Sequence, residues 1–360
     1  MKNFIKNHKI ISTILFLCII VLLLLILAVG YVFLKLNKLS YHDGTVNFQT
    51  SELADISAGD DTESDGEYSE ELISSEEAEG LLETEVILSD MEMLQDEDVF
   101  NILLLGTDER TEKFNTNARA DSIMILSLNK KAQTIKLVSL QRGMGFPILE
   151  GDYKGEYDWL THLFRYGGAD LMLKSVREVL NVDVEYYVRV NFNTFAQLID
   201  SVGGIDVELT AAEAAGLNGE VRTNARTKVK VTEGLNHLDG YDALQYSRLR
   251  YIDSDWKRVQ RQRNVIQSVV TAAKGMSLLE INDMLDTVLP LIQTNLTSGD
   301  ILGLISYAPA ILGKKFEQKT IPAKGTYGTM TGLGGRTLYA VDFQTNSQIL
   351  HEFLYQSEEE

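Results

Sequence analysis

The chain holds a single cysteine, Cys18, in 360 residues, so an intrachain disulfide is excluded. That absence leaves the compartment open, because oxidising surroundings permit disulfides without requiring them. Histidine is sparse, and His162 and His237 stand alone; no HxxxH pair and no cysteine pair supplies a zinc set. GTDER (106–110) is not a GxSxG elbow, which removes a serine-nucleophile signature. GLGG (332–335) and YGG (166–168) lack the lysine and hydroxyl of a nucleotide-phosphate loop. Charge of one sign is missing twice: residues 1–40 hold five lysines and no acid, and residues 41–100 hold 20 acids and no Lys or Arg. The remaining 101–360 contain 28 basic and 32 acidic residues, so the formal charge of −19 describes 41–100 more than the rest. This balance argues against a nucleic-acid partner and leaves room for a local anion site.

Residues 11–34 carry no charge and are long enough to span a bilayer as a helix. Lys2, Lys6 and Lys9 ahead of them favour a cytoplasmic N-terminus, although Lys35 and Lys38 weaken the asymmetry. A cleaved signal peptide is the rival reading; the run is long for one and lacks a small-x-small cleavage site. The expected organisation is a cytoplasmic 1–10, a transmembrane helix at 11–34, an acidic and largely disordered extracytoplasmic linker at 35–98, and a domain at 99–360 with its motifs in 101–275. The expected location is the cell membrane, single-pass, with the C-terminal domain outside.

The domain opens with three β-type apolar runs, Ile102–Leu105, Ile123–Leu128 and Ile135–Leu140. Their ends carry Asp108 and Arg110, Arg119 and Asp121, and Arg142. Two carboxylates and three guanidiniums at strand ends suit an ionic site, the carboxylates for a shared divalent cation and the arginines for phosphate oxygens. Solvated turns are the competing explanation. Farther on, helical patterns at 169–180, 192–201 and 258–274 alternate with strand patterns at 184–190 and 205–209. That alternation predicts an α/β domain layered around a mixed sheet. Residues 211–231 read as an insertion or flexible arm, and the Gly-rich 317–343 as a closing strand-and-loop region.

A second basic cluster, YSRLRYIDSDWKRVQRQR (246–263), sets Arg248, Arg250, Lys257, Arg258, Arg261 and Arg263 against only Asp253 and Asp255. Close like charges need solvent or a bound anion between them. Lys257 and Arg263 read as solvated surface. Arg248 and Arg250, two apart, would point the same way from an extended segment, which favours a ligand role for the pair.

Taken in order, NILLLGTDER (101–110), RADSIMILSL (119–128), SLQR (139–142), LTHLFRYGG (160–168), YYVRVNFNTFAQLIDSVGGIDVEL (186–209), GLNHLDGYDALQYSRLR (234–250) and DWKRVQRQRNVI (255–266) resemble the LytR-CpsA-Psr family. The resemblance implies a mixed central β-sheet flanked by helices, preceded by one transmembrane helix. It also implies a phosphotransferase that moves a glycopolymer from a polyprenyl-pyrophosphate carrier to peptidoglycan, onto a muramic-acid hydroxyl. Asp108 and Asp121 match the metal-associated aspartates, with Mg²⁺ expected and Mn²⁺ equally suited to oxygen ligands. Asp108, Asp121, Arg119 and Arg142 are the candidate catalytic residues. Arg110, Arg119, Arg142, Arg248, Arg250, Arg258 and Gln262 match the pyrophosphate pocket. The third motif departs from the family's SIPRD: here it reads Ser139-Leu-Gln-Arg-Gly143, without the aspartate that could orient Arg142. Asp152 or Glu150 is the candidate replacement. Hydrolysis of the same lipid, or membrane-anchored polyanionic-lipid binding without turnover, are the alternatives.

Overall fold

The structure is a computed structural model that describes residues 38, 40–41, 93–109, 114, 118–311 and 316–355. Its frame is a seven-stranded mixed sheet built from β1 (Ser40–Tyr41), β2 (Val99–Thr107), β3 (Ala120–Asn129), β4 (Thr134–Leu140) and three strands that come later in the chain. A short hairpin, β5 (Gly145–Pro147) with β6 (Tyr157–Trp159), leads into α1 (Leu160–Val179). Then come β7 (Tyr186–Asn191), α2 (Phe192–Ser201), β8 (Ile205–Leu209), α3 (Ala211–Leu217), β9 (Gly234–Leu238), α4 (Gly240–Arg248), α5 (Asp255–Lys274) and α6 (Leu278–Val288). The chain closes with β10 (Gln293–Thr294), α7 (Ser298–Ile311), β11 (Glu317–Ile321), the hairpin β12 (Tyr327–Thr331) and β13 (Thr337–Val341), and α8 (Phe343–Tyr355).

The sheet order is β1-β10-β7-β2-β3-β4-β11. β2 runs parallel to β7 and antiparallel to β3, β3 antiparallel to β4, and β4 parallel to β11. These directions bring the C-terminal ends of β2, β4 and β7 and the N-terminal start of β3 to one edge. Period-2 alternation then separates the two faces. Leu103, Leu105, Ile123, Ile125 and Tyr187 turn into a core closed by α1 and α8, through Phe164, Met172, Val176, Leu350 and Leu354. Leu104, Met124, Val188 and Val190 face the opposite way, toward α2 and α5, and line a cavity. A smaller core, with Ile199, Leu217, Tyr246 and Val265, holds α2–α5 together. There α4 lies so close to α2 that a Cβ on Gly240 would fall 2.0 Å from the Ala196 carbonyl oxygen.

Several expectations are corrected. No helix among the described residues is long and apolar enough to cross a membrane. The two longest, α1 and α5, carry charged side chains along their length, which lipid would not solvate. Residues 11–34 lie outside the described residues. Among the described residues the fold is an α/β mixed sheet flanked by helices, with no transmembrane helix, and they give the single-pass membrane topology no support.

Ser40–Tyr41, placed in the linker by sequence, pairs with β10 on the sheet edge. The supposed arm 211–231 is structured: α3 starts with a capping box between Thr210 and Glu213, and the following loop is pinned by side chains. Asn218 bonds both the carbonyl and the N–H of Val231, at 2.9 and 3.0 Å, and the Asp242 carboxylate accepts from Lys228 N at 2.8 Å. Arg263 is buried rather than solvated; its guanidinium donates to Ser139 Oγ at 3.0 Å and Thr320 Oγ1 at 2.6 Å, tying α5 to β4 and β11.

Candidate active site

Between the sheet, α2 and α5 lies a cavity of about 1090 Å³. Its chemistry changes along its length. At the shared strand edge it is lined by Arg119, Asp121, Arg142, Arg248, Arg250, Arg258 and Gln262. Farther in, the wall becomes Leu104 and Val188 from the sheet, Phe195 and Leu198 from α2, and Val265 and Val269 from α5. The gradient follows from the elements themselves. Each strand reaches the edge only after its apolar middle, and α5 passes from Arg258 and Gln262 in its first turns to valines two turns later.

The arginines are held by few carboxylates. Asp255, the first residue of α5, sits 2.9 Å from Arg258 Nη1, 3.6 Å from Arg142 Nε and 3.7 Å from Arg250 Nη2. Arg142 Nη1 also lies 3.6 Å from Asp121 Oδ1. Arg142 is thus flanked by two carboxylates despite Gly143. Neither expected replacement supplies them, since Glu150 pairs with Lys174 and Asp152 is exposed. Gly143 has a packing reason: a Cβ there would approach Tyr339 Cε2 to 3.2 Å, and its carbonyl accepts from Tyr339 N.

The two aspartates separate. Asp108 Oδ1 accepts from Arg119 N at 2.8 Å and Oδ2 from Arg119 Nε at 3.0 Å, so this carboxylate closes the 108–119 loop and orients Arg119. It is not on the cavity wall, whereas Asp121 is, and Asp121 Oδ1 makes no hydrogen bond. Arg110 lies outside the described residues. Arg248 ends α4 rather than an extended segment, so the two-residue spacing is not what aligns it with Arg250; Leu249 leaves the helix at φ −58°, ψ 126°, and both guanidiniums still reach the cavity. Asn224 fixes that exit, donating to Arg248 O and accepting from Arg250 N, each at 2.8 Å. Arg248 also stacks 4.5 Å over the Phe192 ring.

A further group, of which the sequence reading singled out only His162 and gave it no role, closes the edge: Trp159, His162, Arg336 and Tyr339. Thr161 anchors it, donating through Oγ1 to Ala120 O at 2.8 Å and through N to Arg142 O at 3.2 Å. Asp158 beneath is fully buried. Burial alone would push its carboxyl up, but hydrogen bonds from His162, Tyr166 and Trp159 N outweigh that, holding it below the ordinary carboxylate range. Burial and the Asp158 charge together raise the Tyr166 phenol. Sequence offered one signal for this group, the YGG turn: Gly168 takes φ 61° at a kink within α1, which sets the helix start against the strand edge.

Residues 61–353 match the LytR_cpsA_psr family, and the chain belongs to it. Among curated proteins, it is 32% identical over 217 residues to the polyisoprenyl-teichoic acid–peptidoglycan teichoic acid transferase TagT of Bacillus subtilis (strain 168), covering 59% of this chain and 65% of that protein. It is 34% identical over 207 residues to the TagU transferase of Bacillus cereus, covering 57% of this chain and 62% of that protein. The matched region thus spans less than two thirds of these relatives. Among solved structures, TagT bound to LI-WTA aligns with a TM-score of 0.57 at 28% identity, covering 74% of this chain and 94% of that one.

Proposed function

We propose that this protein is a phosphotransferase that moves a glycopolymer from a polyprenyl-pyrophosphate carrier to peptidoglycan, forming a phosphodiester to a sugar hydroxyl. The carrying observation is one cavity lined by arginines at the strand edge and by aliphatic and aromatic side chains within. A lipid diphosphate has the same two-part chemistry, a concentrated anion joined to a long apolar chain. Arg119, Arg142, Arg248, Arg250 and Arg258, with Gln262, bind the diphosphate and offset the charge that develops on the leaving phosphate. The relatives named for teichoic acid transfer support the same substrate class.

No group of three or more His, Cys, Asp or Glu side chains among the described residues forms a metal cluster. A magnesium ion needs less: one or two carboxylates, with substrate phosphate and water completing its shell. Asp121 fits, because it lines the cavity and one of its oxygens is buried without a hydrogen bond. Asp108 fits less well while both its oxygens serve Arg119. A bound Mg²⁺ or Mn²⁺ would supply charge neutralisation at the phosphates.

The test incubates the full chain with a polyprenyl-pyrophosphate oligosaccharide, a peptidoglycan fragment and Mg²⁺, and follows products by mass spectrometry beside Asp121→Ala. The expected result is a metal-dependent phosphodiester product, reduced about 100-fold or more in the variant. Release of sugar phosphate without linkage would replace transfer by hydrolysis. Binding without product would leave a lipid-binding protein.

A further inference from the structure

The buried Asp158 and His162 and the half-buried Tyr166 and Arg336 form a cluster at the cavity edge. Asp158 is 0% exposed and His162 2% exposed. His162 Nδ1 lies 3.0 Å from Asp158 Oδ2, the Tyr166 hydroxyl donates to the same oxygen at 2.6 Å, and Trp159 N donates to Oδ1 at 2.8 Å. Arg336 Nη1 is 3.7 Å from Oδ2. A carboxylate so supplied with donors and a cation is ionised and can only accept, so the proton of a neutral imidazole sits on Nδ1. The lone pair is then on Nε2, which is buried and has no hydrogen-bond partner.

That bare nitrogen belongs to a residue of the cavity wall. Its neighbour Thr161 bonds to the carbonyls of Ala120 and Arg142, the residues that place Asp121 and Arg142 at the edge. The imidazole is therefore built into the strand ends that carry the phosphate-binding groups. Both aspartates are already engaged with arginines: Asp108 with Arg119, and Asp121 with Arg142.

We propose that His162 is the general base of the transfer, its Nε2 taking the proton of the acceptor hydroxyl. This rests on the reading of the protein as a lipid-diphosphate glycopolymer transferase. In the step, the acceptor oxygen forms a bond to the sugar-linked phosphorus, and the bond from that phosphorus to the bridging oxygen breaks. The electron pair leaves with the polyprenyl monophosphate, and the hydroxyl proton passes to Nε2. Asp158 holds the ring in register and balances the imidazolium, which later returns its proton to the leaving phosphate or to water. Asp158 from β6 faces the ring, and the same carboxylate is met by Tyr166, one turn along α1, and by Arg336 from the loop before β13.

The test is the transfer assay on the full chain with His162→Gln, which keeps a donor for Asp158 but cannot take up a proton. The expected result is a kcat lower by about 100-fold or more, a donor KM within about twofold of wild type, and loss of the acid limb of the kcat–pH profile. A second measurement uses ¹⁵N-histidine NMR, with the His162→Gln difference assigning the ring: the neutral imidazole is expected as Nδ1–H with a bare Nε2. Wild-type transfer with an unchanged kcat or a retained acid limb in the variant overturns the base and leaves the transferase reading intact. An Nε2–H tautomer also overturns it. Absence of transfer by wild type sinks the transferase reading, and the base with it.

Discussion

Replacing Asp255 by Asn tests how the arginine edge is held. One carboxylate, 7% exposed at its side chain, faces Arg258 at 2.9 Å, Arg142 at 3.6 Å and Arg250 at 3.7 Å. At an effective dielectric near 20, each contact is worth about 4 kcal/mol of Coulomb energy before desolvation is charged against it. Removing one partner of such a buried group costs about 3–5 kcal/mol, because the guanidiniums keep their charge while losing one carboxylate, although Arg142 retains Asp121. The isosteric amide keeps the shape, so the lower figure, about 3 kcal/mol, is expected. For a domain of this size that lowers Tm by roughly 6–12 °C. Pyrophosphate should partly restore what is lost by binding the same guanidiniums. If the variant binds it about tenfold more tightly than wild type, saturating anion stabilises the variant by an additional ~1.4 kcal/mol. Differential scanning fluorimetry with and without pyrophosphate reads both effects. A variant that melts within about 1 °C of wild type, or equal pyrophosphate shifts in the two proteins, would refute Asp255 as the shared counter-ion.

Three further outcomes are expected. Asn224→Ala removes two hydrogen bonds at the Arg248–Arg250 exit, about 1 kcal/mol each; titration of a lipid-pyrophosphate analogue should show affinity lower by roughly tenfold, with the fold retained by circular dichroism. Gly143→Asp should restore the family's acid without raising turnover, because Asp121 and Asp255 already flank Arg142 and the new Cβ meets the Tyr339 ring at 3.2 Å; a higher kcat would contradict this. The Asp158 carboxyl is held below its ordinary value when folded, so its stabilisation is present above an unfolded pKa of about 3.9 and is lost as pH falls through the lower folded value. Acid unfolding of Asp158→Asn should lack that component; a variant with the wild-type acid profile would show that the carboxyl contributes none.

The sequence by itself determined what depends on near neighbours. β2, β3 and β4 announce themselves as short apolar runs, and α2 falls at the expected 192–201 between Asn191 and the Gly203–Gly204 stop. The order of charged motifs was enough to suggest the family. Only tertiary structure decided which charges meet. Arg263 looks like a solvated helix residue until β4 and β11 supply Ser139 and Thr320. The loss of the acid at 143 looks like a defect until Asp255, more than 100 positions away, proves to face Arg142. Nothing local marks Asn224 as the clamp of Arg248 and Arg250, or Asp158 and Arg336 as partners around His162's ring. Such contacts depend on strand directions and helix docking, fixed by packing over the whole domain. A residue's chemical type is written in the sequence; its counter-ion, its burial and the cavity it faces are set by the fold.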